Sequence, residues 1–337
     1  MGGAGWHGYF LQPSNKDKQI VTMITFLILA QLVLPLGAIA WLAIAPLRNL
    51  LGFWLQALIT AISLFAISLM GIWMFPPWWT PYVYGLLFIL TLVIGLNRHQ
   101  FRHRIPSSWL GWLAIVGFVA FGMFAGNEAI RSWAGQFSPA IPAVDLAFPL
   151  RGDGYLILNG GNDLRINAHL KTLDESIPRF RTYRGQSYGI DIIQTDQFGL
   201  RAPGLAPSDP TAYQIYGEPV FAPCTGKIVM AFDGFPDMTI PEIDQVNRAG
   251  NYVMLRCGDA DIALAHFRPR SVSVQTGMEV KVGDRIAEVG NSGASDEPHL
   301  HIHAQRPRSS AAPFSGDPLP IRLNERYLIR GDRVTEK

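Results

Sequence analysis

Charged side chains are scarce in this chain: Asp, Glu, Lys and Arg make up 16% of 337 residues, against about a quarter in ordinary soluble domains. The deficit is uneven. Residues 1–126 hold only seven of the 54 charges, so two chemically different halves are joined. A basic surface is also lacking. The formal net charge is +2, and no stripe of lysine or arginine interleaved with aromatics runs through the chain, which excludes electrostatic binding of nucleic acid. Cysteine is nearly absent: Cys224 and Cys257, both in the polar half, allow one disulfide and exclude a cysteine-based zinc cluster.

Long apolar runs are what the first half has in abundance. Residues 20–45, 50–75, 78–96 and 109–125 contain no charged side chain. A bilayer core about 30 Å thick takes roughly 20 helical residues to cross. Four such runs in succession have no amphipathic partner that would bury them in a soluble core, and the first is too long for a cleaved signal peptide. Residues 1–126 are therefore expected to form an all-α membrane domain of about four transmembrane helices, the first kinked at Pro35. Arg48 lies in the first loop and Arg98, Arg102 and Arg104 lie in the third, whereas the second loop, around Pro76-Pro77-Trp78-Trp79, has no cation. Positive loops stay in the cytoplasm, so both termini are expected outside; Lys16 and Lys18 count against this, two charges against four. Trp73, Trp78, Trp79, Trp109 and Trp112 fall near the expected span ends, as interfacial aromatics do. No ionisable residue lies within a span, which speaks against a pump or ion pathway and leaves an anchor. Residues 127–150, with Pro139, Pro142 and Pro149, read as a linker.

From residue 151 to 337 the pattern changes to short β-branched and aromatic runs broken by Gly, Pro and Asp, the mark of an all-β antiparallel domain. Strands are expected near 155–158, 188–193, 219–222, 226–232, 252–257, 262–267, 285–289 and 300–304. Five of the eight histidines fall here: His169, His266, His299, His301 and His303. The last three alternate. On a strand they project from one face, with Leu300 and Ile302 on the other. Imidazole is a common zinc ligand, and an H-x-H pair supplies either two ligands or one ligand and a proton-transfer group.

Within residues 185–304 the sequence resembles the lysostaphin-like, LytM-type zinc endopeptidases of bacterial cell walls, metallopeptidase family twenty-three. The pieces occur in family order: Tyr188-Gly189-Ile190-Asp191, Gly217-Glu218-Pro219-Val220, Gly250-Asn251-Tyr252-Val253, Leu264-Ala265-His266-Phe267, Gly277 to Gly283, Gly290-Asn291-Ser292-Gly293 and Pro298-His299-Leu300-His301. The resemblance implies a compact β-domain with a narrow groove, one zinc ion, and cleavage of peptide bonds in peptidoglycan. Carried over by motif position, Asp191 and His301 are expected to bind the metal. His299 and His266 are expected to move protons and stabilise the transition state.

Two positions depart from the family pattern. Where a third ligand, a histidine, stands four residues before the aspartate, this chain has Ser187, a poor ligand. His169 is expected to take that place, with His303 as the competing donor. His303 itself stands where the family usually has an acid. Two segments, residues 194–216 and 233–249, interrupt the matched core and are long enough to form groove walls or lids. Cys224 and Cys257 flank the second and are expected to be joined, as an oxidising compartment permits.

The reading is a multi-pass protein of the bacterial inner membrane with a zinc endopeptidase domain facing the periplasm. Its partners are the lipid bilayer and peptidoglycan peptides. The first alternative is a catalytically inactive LytM-like domain that binds the wall or regulates another hydrolase, which Ser187 favours and the retained histidines oppose. The second is a membrane scaffold whose outer domain only senses the wall.

Overall fold

A computed structural model describes residues 25–44, 49–98, 103–308 and 311–336. The first half contains four helices long and apolar enough to cross a membrane: α1 (Thr25–Ile44), α2 (Leu50–Met70), α3 (Thr80–Arg98) and α4 (Trp109–Ala134). Asn49 and Ser108 cap α2 and α4, their side-chain oxygens accepting from Gly52 and Gly111 backbone N–H groups. No more than 39% of the most apolar stretch of any of these helices is buried, and large side chains such as Trp41, Leu86, Val116 and Phe124 stand exposed. An apolar surface of that extent suits lipid rather than water.

A π-helical turn, Leu29–Val33, precedes Pro35 within α1, and the helix runs on past the proline to Ile44. The Tyr84 hydroxyl donates to the carbonyl of Gln31, four residues before the proline that has no N–H to offer it. At one end of the bundle Leu50 and Leu51 donate to the carbonyls of His103 and Arg104, so the first and third loops meet. Arg48, Arg102, Lys16 and Lys18 lie outside the described residues. At the other end α2 stops at Gly71, and a turn through Pro76 and Pro77 leads to α3.

The structure differs from expectation at residues 127–150. Helix α4 continues to Ala134, and strand β1 (Val144–Leu146) follows. Glu128 and Arg131 end the uncharged run without ending the helix, because both are good helix formers. Both reach the β-domain: Glu128 receives two hydrogen bonds from Arg165, at 2.5 and 2.7 Å, and Arg131 lies 3.5 Å from Asp163.

The strands that follow are β2 (Gly152–Asn159), β3 (Ile190–Gln194), β4 (Pro219–Phe221), β5 (Gly226–Phe232), β6 (Asn251–Cys257) and β7 (Ala260–Phe267). Next come β8 (Glu279–Val280), β9 (Arg285–Glu288), β10 (Leu300–Gln305), β11 (Pro318–Leu319), β12 (Ile321–Leu323) and β13 (Arg333–Glu336). A nine-stranded antiparallel sheet runs in the order β13-β2-β3-β10-β7-β6-β5-β8, with β11 on the end of β10. Strands β4 and β9 form a second antiparallel pair. The exception to antiparallel pairing is β1 with β12, which run parallel.

One face of the large sheet buries Ile190, Ile192, Leu264, Leu300 and Ile302 in the main core. The period of two sends Asp191, Ile193, His301 and His303 to the other face. Ile193 and Leu156 there form a second apolar cluster with Leu27 of α1 and Met74 of the α2–α3 turn. Trp79 donates its indole N–H to the Phe198 carbonyl at 2.9 Å, and the Arg333 guanidinium stacks 3.8 Å over Trp78. These two tryptophans, expected at the lipid interface, grip the β-domain.

Cys224 and Cys257 are disulfide-bonded, with Cα atoms 6.2 Å apart and a sequence separation of 33. The bond encloses the second long segment. Both long segments are ordered and pack on each other: Tyr213 and Ala202 bury against Ile240, and the Tyr216 hydroxyl donates to Asp237 at 2.7 Å.

Candidate metal centre

Register on the large sheet builds the site. Strand β10 lies between β3 and β7, and His301 is paired directly with Asp191 on one side and Ala265 on the other. The His301 Nδ1 sits 2.8 Å from Asp191 Oδ1. His169 comes from a 3-10 turn, Ala168–Leu173, capped by the Asn167 side chain, and its Nε2 lies 2.9 Å from Asp191 Oδ2. One donor atom from each of His169, Asp191 and His301 thus falls within 4.8 Å of the others.

Gly189 makes this approach possible. A Cβ there would stand 2.8 Å from His301 Cε1 and 3.4 Å from His169 Cδ2, so a side chain would wedge between the two rings, whose centroids are 4.8 Å apart. Ser187 is buried and turned to other work. Its hydroxyl lies 2.6 Å from the Arg184 carbonyl and 2.8 Å from the Thr172 hydroxyl, pinning the turn that carries His169.

His266 reaches the same face by a break in the strand. In regular pairing its neighbour Ala265 shares the face of His301, and His266 would point to the core. Instead β7 bulges here, Tyr252 pairing with Ala265 and Asn251 with Phe267. His266 takes φ of 69°, a conformation that costs a non-glycine residue about 1–3 kcal/mol. The bulge brings its ring 4.8 Å from that of His299 and 5.9 Å from that of His301. Bulges beside active sites serve to re-aim a side chain in this way.

Tautomers follow from the partners. The His266 Nδ1–H donates to the Ser292 carbonyl at 2.9 Å, and the His299 Nδ1–H donates to the Glu297 carbonyl at 2.8 Å. A carbonyl only accepts, so each neutral ring carries its lone pair on Nε2. The Nε2 of His299 lies 3.7 Å from Asp191 Oδ1. Burial, reinforced by His299 and His301, holds His266 well below the usual imidazole range. Burial would raise Asp191, yet the proximity of His169 and His299 and the hydrogen bonds of His169 and His301 outweigh it and hold the carboxylate well below its ordinary value.

The triple-histidine strand divides differently from its even spacing. His299 precedes β10, and His303 sits behind His301, its Nδ1 2.9 Å from His301 Nε2. His303 is 3% exposed and contacts no oxygen of Asp191. If His301 Nε2–H donates to it, the Nδ1 of His301 is left free to face a cation. Two nitrogens and a carboxylate at one point, with Asp191 and His301 buried and His169 half-buried, suit zinc, which takes three protein ligands of these kinds in catalytic sites.

Further residues that sequence reasoning did not single out hold this group. Asn159 donates to Asp191 Oδ2 at 2.8 Å. Arg330 donates to Asn159 Oδ1 at 2.9 Å and to the Met70 carbonyl at 2.7 Å. On the other side, Arg201 binds both oxygens of Glu297, at 2.9 and 2.8 Å, and the carbonyl of Met74 at 3.4 Å. A cleft of about 430 Å³ opens over the site, lined by all five histidines, Asp191, Lys171, Arg248 and Asp296, and by Phe26, Leu27, Ile72 and Met74 of the helical half.

Residues 211–313 match the model of peptidase family M23. The matched segment lies wholly within the β-domain and covers under a third of the chain. That segment includes His266, His299, His301 and His303; Asp191 and His169 stand before it and join the group through the fold. An uncharacterized metalloprotease of Haemophilus influenzae is 31% identical over 121 residues, which cover 34% of this chain and 23% of the relative. The match therefore spans under a quarter of that relative. Among solved structures, the lysostaphin catalytic domain of Staphylococcus simulans is 25% identical, covering 37% of this chain and 72% of that one, with a TM-score of 0.24. A zinc-containing peptidase from Vibrio cholerae is 22% identical, covering 36% and 26%, with a TM-score of 0.22.

Proposed function

We propose that this protein is a membrane-anchored zinc endopeptidase that hydrolyses peptide bonds of peptidoglycan. Helices α1 to α4 hold it in the bacterial inner membrane, and the β-domain faces the periplasm. The observation that carries the reading is the convergence of His169 and Asp191 with His301, His266 and His299 of the matched M23 segment in one cleft.

His169 Nε2, an Asp191 oxygen and His301 Nδ1 would hold the ion. When bound, zinc supplies a Lewis acid that polarises a carbonyl and brings the pKa of a coordinated water toward about 7. His299, fixed through its Nδ1–H on Glu297, presents Nε2 to accept a proton and return it to the leaving amine. His266, anchored on Ser292, presents its own Nε2 lone pair beside His299, as a second proton acceptor in the same cleft. Asn159 and His303 set the orientations of Asp191 and His301.

The test uses the detergent-purified full chain. Metal analysis is expected to give one zinc per chain, and digestion of purified peptidoglycan is expected to release new amino groups that a chelator suppresses. Absence of both zinc and hydrolysis would favour the inactive wall-binding alternative.

A further inference from the structure

The cleft over the metal centre has one wall that the β-domain does not supply. Phe26 and Leu27 belong to the start of α1, and Ile72 and Met74 to the turn that joins α2 to α3, yet all four line the same cleft as Asp191 and His301. This wall is not a loose contact. Leu27 and Met74 are buried against Leu156 and Ile193, and Ile193 shares a strand face with Asp191. The Gln31 side chain donates to the Phe75 carbonyl at 2.7 Å, locking the turn onto α1, and from the β-domain Arg201 holds the Met74 carbonyl of the turn and Arg330 the Met70 carbonyl at the end of α2. Only two side chains, Arg330 and Asn159, separate the last residue of α2 from Asp191.

Apolar helices that end beside the cleft place it at the level where the bilayer ends. A β-domain on a free tether would sample substrates across its reach, whereas this one is fixed with its cleft at the surface and one side closed. On the peptidase reading above, we infer that the substrate is a peptide tethered in the same membrane, with its scissile bond held close to the lipid headgroups by a short link to an apolar anchor. Peptides of a wall layer held away from the membrane meet this geometry only once detergent has freed the chain from the bilayer. Phe26, which is 65% exposed, and Met74 offer the apolar side along which the anchored end of such a chain passes.

Spacer length separates the possibilities. The full chain is reconstituted in vesicles with a stem-peptide substrate coupled to a phospholipid through polar spacers of two, six or twelve residues. The extended reach of these spacers is about 7, 20 and 40 Å. The same peptide is also assayed free in solution. For a cleft at the surface, the two-residue spacer is cleaved, and the rate falls as the spacer grows, because effective concentration drops roughly as the −3/2 power of length. No cleavage at two residues with a maximum at six or twelve places the cleft away from the membrane and overturns the inference while leaving the peptidase intact. Failure to cleave any form, the free peptide included, removes the peptidase reading and this inference with it.

Discussion

Arg330 and Asn159 form a bond on which both halves of the molecule depend: the guanidinium donates to the Asn159 side-chain oxygen at 2.9 Å, and Asn159 in turn donates to Asp191. The other donors of Arg330 go to the carbonyls of Leu158, Arg165 and Met70. Burial pushes this guanidinium down to about 10, so it stays charged at neutral pH. A cation is thereby held near the Asp191 carboxylate by neutral oxygens. Replacing partners behind a metal ligand typically costs about 10–100-fold in metal affinity. Arg330→Gln and Asn159→Ala are each expected to weaken zinc binding within that range, measured by competition with a chromophoric chelator. Unchanged affinity in both would reduce the chain of bonds to packing.

Zinc content should sort the histidines. His169→Ala, Asp191→Ala and His301→Ala are expected to lose the ion, because two remaining ligands do not make the site. His299→Ala and Ser187→Ala are expected to keep one zinc per chain. The rate of His299→Ala should fall about 10²–10⁴-fold. His303→Ala should bind one zinc at saturation with about tenfold weaker affinity, through the loosened His301 ring. Retention of zinc by His169→Ala together with its loss in His303→Ala would move the third ligand to β10.

Gly189→Ala puts a methyl group against His301 and the Gln186 carbonyl, at 2.8 and 2.9 Å. The backbone there is ordinary, so the cost is steric rather than conformational. We expect a destabilisation of about 1–3 kcal/mol accompanied by loss of zinc, read by thermal melting with and without metal. A variant that melts as the parent and binds zinc normally would show that the two rings have room to part.

The Cys224–Cys257 bond closes a loop of 33 residues, which stabilises by about 3–4 kcal/mol. Mass analysis of protein alkylated at harvest from its own membrane should show both cysteines blocked to alkylation. Two alkylated thiols would contradict a periplasmic β-domain as well as the bond.

Topology is open to a direct measurement. Helix α4 enters the β-domain on the side of the α2–α3 turn, opposite the meeting point of the first and third loops. A reporter active only outside the cytoplasm should work when fused after Lys337 and fail when inserted in residues 99–102. The reverse pattern would turn the whole protein over.

The parts legible in the sequence are those with short-range signatures. Twenty apolar residues without a charge mark a helix wherever they occur, and alternation marks β10, whose Leu300 and Ile302 fill the core as the period of two requires. Asp191 and His301 could be put together by their place in a motif series. Asn159, Arg201, Glu297 and Arg330 could not, because each acts through a partner far away in sequence; Arg330 and Asn159 are 171 residues apart. The end of α4 at Ala134 is hidden for another reason. Glu128 and Arg131 alter hydropathy but not helix propensity, so the apolar run ends before the helix does. His266 required a bulge, and nothing in Leu264-Ala265-His266-Phe267 announces one.

Helix α4 and its clasp by Arg165 leave the β-domain no swinging arm. On the proposed reading, an enzyme so held in a bilayer searches only by drifting in the plane, with its cleft always at one height and its orientation to the membrane normal constant. Encounter then depends on how fast the substrate and the protein diffuse laterally and on how many of each share the surface. Rates should scale with copies per unit of membrane area rather than with copies per volume of the adjoining compartment.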